Sequence, residues 1–108
     1  MLVCDFCCSG ETVAWSYPCP DFGMVVKVGE WDVLNTSHGG WAACQKCHEL
    51  IEADKRDELV ERNVEMFFTN EGYDINRIPP HHIVAMRVPV KELHDAFFKN
   101  RQGPCNAV

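Results

Sequence analysis

Gly39-Gly40-Trp41-Ala42-Ala43-Cys44-Gln45-Lys46-Cys47-His48-Glu49-Leu50-Ile51 decides how this chain is read. It sets a Cys-x-x-Cys pair at the start of a predicted helix, and a second pair, Cys4-Asp5-Phe6-Cys7, stands near the N-terminus. The two pairs are 36 residues apart. Together they supply four thiolates, the ligand set and pair spacing of a structural zinc site. Cys4, Cys7, Cys44 and Cys47 are therefore the expected metal ligands, holding one structural Zn²⁺. Four sulfurs close the coordination shell, so such a zinc has no open position for an activated water.

Working outward, Cys8-Ser9-Gly10 completes the first knuckle, with Cys8 expected as a partly buried free thiol. Thr12–Tyr17, Phe22–Val28 and Trp31–Leu34 carry strand-forming residues, broken by Pro18-Cys19-Pro20-Asp21 and by a turn at Gly29-Glu30. Two or three antiparallel strands thus lie between the cysteine pairs. Asn35–Gly40 reads as a loop, and a helix follows from Trp41 to Ala53, on which Cys44, Cys47 and His48 share one side. Asp54 is expected to cap a second helix over Lys55–Thr69, whose Leu59, Val60, Val64, Phe67 and Phe68 form an apolar stripe. Arg56, Glu61, Arg62 and Glu65 should face solvent. Periodicity leaves Pro79–Met86 open between helix and extended chain. A last helix over Val90–Asn100 buries Val90, Leu93 and Phe97, with His94 at the stripe's edge.

The knuckle, hairpin and helix with a second ligand pair resemble a treble-clef zinc finger. The run Gly-Trp-Ala-Ala-Cys-Gln-Lys-Cys-His-Glu-Leu-Ile-Glu-Ala after Cys-Asp-Phe-Cys is similar to a group of small bacterial and phage treble-clef proteins, many actinobacterial. The similarity covers mainly residues 4–65 and implies the fold without bringing an activity. The expected architecture is α+β in a single domain over residues 1–108: a zinc-binding core at 1–53, a helical extension at 54–101 and a flexible tail at 102–108.

Composition narrows the function. The formal net charge of −6 becomes more negative still with four thiolates on one divalent ion. Residues 1–53 hold two basic and seven acidic side chains, which repels a phosphate backbone from the zinc half. No secretory signal or membrane-spanning apolar run is visible, and an odd seven cysteines suits free thiols (Cys8, Cys19, Cys105) in a reducing cytoplasm. Cys-x-x-Cys-His also spells a haem-attachment pattern, which needs an export signal this sequence does not display. A thioredoxin-type dithiol needs a βαβ context that is equally missing.

The expected function is a non-enzymatic zinc-binding module for protein–protein interaction or regulation, its partner another protein or a second copy, with neither nucleic acid nor membrane. Phe98 and Met86, off the helical stripes, are the expected contact face, and Trp15, Tyr17 and Trp31 serve either as a recognition surface or as hairpin core. The alternatives are a degenerate or active HNH-like nuclease and a nucleic-acid-binding finger. In the nuclease, His48 would bind metal and Asn35 would take the middle position. Its general base is missing, because no histidine lies between Cys8 and Leu34 and His38 sits close to the helix. His81-His82 could hold a second metal, against the plainer reading of a solvated pair.

Overall fold

The computed structural model describes residues 3–28 and 30–108, so Gly29 of the expected turn lies outside the described residues. The chain is α+β. Strands β1 (Val13–Tyr17), β2 (Phe22–Val28), β3 (Trp31–Ser37) and β4 (Trp41–Cys44) precede helices α1 (Gln45–Glu52), α2 (Arg56–Asn70) and α3 (Pro80–Asn100). A short strand β5 (Asn106–Ala107) closes the chain. The strands form two separate sheets. β1 lies between β4 and β5, antiparallel to both, while β2 and β3 make an isolated antiparallel hairpin from Phe22↔Ser37 to Val28↔Trp31.

Trp41–Cys44, expected as the first turn of a helix, is instead β4. Two glycines make this possible. Gly39 takes a φ of 73°, and at Gly40 a Cβ would stand 2.9 Å from the Tyr17 carbonyl oxygen, an approach only glycine tolerates. The chain therefore turns onto β1 before it can coil, and Trp41 pairs with Tyr17. Helix α1 begins one residue after Cys44.

Asp54 does not cap α2. It takes a left-handed φ of 55° just beyond α1, where Asp54 N–H donates to the Ile51 carbonyl at 3.1 Å and Lys55 N–H to that of Leu50 at 2.9 Å. This pair of bonds is a Schellman ending, which satisfies the helix's last carbonyls. α3 resolves the open stretch after the two prolines. Pro80 occupies its first turn, where a missing N–H costs nothing, and the helix continues through Pro89 to Asn100.

The main core collects Phe6, Tyr17, Cys19, Trp41, Ile51, Leu59 and Phe97 around Cys4, Cys7, Cys44 and Cys47. Aromatic rings dominate it, with Phe6–Phe97 meeting edge to face and Trp41–Phe97 tilted, ring centroids each 5.0 Å apart. A second cluster of Val60, Val64, Phe68 and Val90 joins α2 to α3. Met86 packs on this second cluster and Phe98 on the first, where the Arg56 guanidinium lies 4.0 Å above its ring. Both of these expected contact residues are half-buried. On α3 the exposed large apolar side chains are Val84 and Val88.

Residues 102–108, expected as a flexible tail, return along β1. Gln102 N–H donates to the Pro18 carbonyl at 2.8 Å and Val108 N–H to that of Ala14 at 3.0 Å. The reason is β1's second edge, whose backbone groups need partners.

Candidate metal centre

Cys4 and Cys7 sit in a tight turn that Cys8 N–H closes onto the Cys4 carbonyl at 3.0 Å. The turn is tied to β4: Asp5 N–H donates to the Ala42 carbonyl at 2.8 Å, and Ala42 N–H donates to Asp5 Oδ2 at 2.6 Å. Cys44 ends β4 and Cys47 lies in the first turn of α1, where the helix dipole and free amides favour negative sulfur.

These elements bring all four expected ligands together, each no more than 1% exposed. Their sulfurs all lie within 4.8 Å of one another. The Cys7 and Cys44 sulfurs are 3.8 Å apart. In a tetrahedral centre with Zn–S bonds of about 2.3 Å, sulfurs stand about 3.8 Å from each other. The set fits a metal ion.

Electrostatics point the same way. Hydrogen bonding with Cys4, and then with Cys47, holds the Cys7 thiol well below its ordinary value. Cys4 and Cys7, together with burial, push the Cys47 thiol far up. Four buried sulfurs thus cannot share four negative charges unaided; a cation among them removes the conflict. Ser9 assists, with Oγ 3.2 Å from Cys7 Sγ and its N–H donating to the same sulfur at 3.5 Å.

Arg62, expected on a solvent face, turns inward instead. Its Nη2 lies 3.8 Å from Cys44 Sγ and 3.1 Å from Glu11 Oε2. Burial works against its charge, and the sulfurs of Cys47 and Cys44 more than offset this, holding the guanidinium above its ordinary value. The cluster's net negative charge is what draws it in. Sequence reasoning missed it because α2's stripe predicts only apolar neighbours.

The remaining candidates are dispersed. Cys8 is exposed with a left-handed φ of 51°, and Cys19 is buried. His48 does not point at the four sulfurs. It stacks on Trp15, ring centroids 3.9 Å apart, and hydrogen-bonds through Nδ1 to Tyr17 Oη at 2.8 Å. Burial, with the Glu52 carboxylate and Cys105 beside it, pushes the Tyr17 phenol up. Of the three aromatic residues with two readings, Tyr17 is core, Trp15 is half-buried and Trp31 is 77% exposed. His81 and His82 are exposed in the first turn of α3 and join no metal-ligating group among the described residues. His94 is buried rather than at a stripe edge; its Nε2 lies 3.0 Å from Asn63 Nδ2 while its Nδ1 has no partner among the described residues. Asn35 and His38 line one cleft of about 310 Å³ with Asp5 and Trp41, and His48 is not part of it.

No protein-family profile, curated protein or solved structure matches this chain. No helix among the described residues is long and apolar enough to cross a membrane.

Proposed function

We propose that this chain is a cytoplasmic, zinc-stapled treble-clef module that binds another protein or a second copy of itself, and that it is not an enzyme. Zinc is the ion that best suits four closed-shell thiolates at tetrahedral spacing. The turn carrying Cys4 and Cys7, the intervening strands, and a second pair at the entry to α1 support the treble-clef reading.

The observation that carries the binding role is the β2–β3 hairpin. Among the described residues β3 has β2 as its one strand partner, which leaves its other backbone edge unpaired, and Ser37 Oγ at its end accepts from Trp41 Nε1 of β4 at 2.9 Å. Its partnered residues Val25 and Leu34 are 59% and 70% exposed, and Trp31 stands out near the tip. Scattered apolar residues on a surface are ordinary, but a contiguous apolar pair beside an unpaired strand edge is a surface for strand addition.

Nucleic acid fits less well. Arg56, Arg62, Arg77 and Arg87 pair with Asp54, Glu11, Asp74 and Glu61, and Arg101 lies over the Tyr17 ring, so the arginines form no free basic stripe. The nuclease reading loses its convergence, since His48 lies away from the cleft that Asn35 and His38 share.

The test is a Trp31→Ala, Leu34→Asp double variant. It should lose the association that wild type makes, by co-purification from the native host or by sedimentation, while keeping its metal and its unfolding midpoint. Tight DNA binding with a steep salt dependence, or DNA cleavage on adding a divalent metal, would refute the proposal.

A further inference from the structure

A second group of metal-ligating side chains stands outside the four-cysteine cluster. His48 and Glu52 are four apart on α1 and so share a face. Cys105 reaches them from the C-terminal segment, whose position is fixed on both sides by the Gln102–Pro18 and Val108–Ala14 backbone bonds and by the pairing of β5 on β1. A ring nitrogen of His48, a Glu52 carboxylate oxygen and Cys105 Sγ all lie within 4.8 Å of one another. Cys105 Sγ is 3.2 Å from Glu52 Oε1 and 3.9 Å from His48 Nδ1.

We propose that His48, Glu52 and Cys105 form a second metal site, selective for a borderline divalent transition ion such as Zn²⁺ or Co²⁺. Two ligands sharing one tetrahedral ion of this class, with bonds of about 2.0–2.3 Å, stand about 3.3–3.8 Å apart. The observed separations bracket that range, so small side-chain adjustments close the set. One imidazole, one carboxylate and one thiolate suit such ions better than Ca²⁺ or Mg²⁺, which take oxygen. The imidazole is held in place by its stack on Trp15. Its hydrogen bond to Tyr17 Oη is exchanged for the metal, and the Cys105 proton leaves as the ion enters.

Two features separate this site from the first. Three protein ligands leave one coordination position free, and the exposed Glu52 and half-buried Cys105 open it to solvent. The ligands also join α1 to the last residues of the chain, so an ion here clamps the C-terminal segment onto the core.

The experiment uses reduced full-length protein already carrying one equivalent of zinc, titrated with Co²⁺ against a chromophoric chelator. A further equivalent should bind, with thiolate-to-cobalt charge-transfer absorption. Cys105→Ala and Glu52→Gln should each weaken it by more than about tenfold. Both variants should retain the first zinc and the wild-type circular dichroism, which separates this site from the four-cysteine centre and from misfolding. Absence of a second equivalent in wild type, or a second equivalent unchanged in both variants, would overturn the proposal.

Discussion

Arg62 and His94 are two polar side chains drawn into the interior for opposite reasons. Arg62 compensates sulfur charge, and its removal should be felt at the metal before the fold. Arg62→Leu is expected to lower metal affinity roughly 10–100-fold, as loss of groups behind metal ligands does, with Arg62→Lys recovering part of it. Competition with a chelating dye measures this. His94 is buried neutral, its pKa pushed down to about 4 by burial. The unfolded chain takes up that proton near pH 6.5, so stability is kept above that pH and lost as pH falls towards 4. The loss at pH 5 amounts to about 2 kcal/mol. Urea unfolding at pH 7 and pH 5 should show a smaller loss in His94→Gln than in wild type, with acid release of metal common to both. Neither burial was legible in advance. Helical spacing tells which residues share a face, and only the three-dimensional neighbours reveal that Arg62 meets sulfur or that His94 meets Phe6, ring centroids 5.5 Å apart.

Among the elements, the junctions carry the strain. Asp54 holds a left-handed conformation that glycine adopts freely, while its exposed ion pair with Arg56 is worth little. Asp54→Gly should raise stability by about 0.5–1 kcal/mol in chemical denaturation. Gly40 is the reverse case. Gly40→Ala drives a methyl into the Tyr17 carbonyl oxygen and should cost about 1–3 kcal/mol, read in the same way. The same contact explains why Trp41–Cys44 was misread from the sequence. Its residues have the composition of a helix start, and nothing local reveals that Gly40 docks on β1. The hairpin β2–β3, α2 and the C-terminal half of α3 were legible, because period-two and period-3.6 patterns are local properties.

For the molecule as a whole, the cysteine spacing was the legible signal: Cys4, Cys7, Cys44 and Cys47 come together buried, their sulfurs within 4.8 Å of one another, as two Cys-x-x-Cys pairs suited to one ion require. The second cluster was not legible, because Cys105 and Glu52 meet only when the chain's end pairs with β1. The central claim is that the four-cysteine metal staples the core. The Cys4–Cys7 turn, β4, α1 and the aromatic core all converge on those sulfurs. Binding energies of structural zinc, about 10–16 kcal/mol, match or exceed a small domain's whole stability of about 5–15 kcal/mol. The most direct test titrates reduced, metal-stripped protein with zinc while following its cooperative thermal unfolding. The account predicts that a cooperative transition appears with the first equivalent and is lost again in Cys44→Ala. A metal-stripped chain that unfolds at the same midpoint as the loaded one would contradict it.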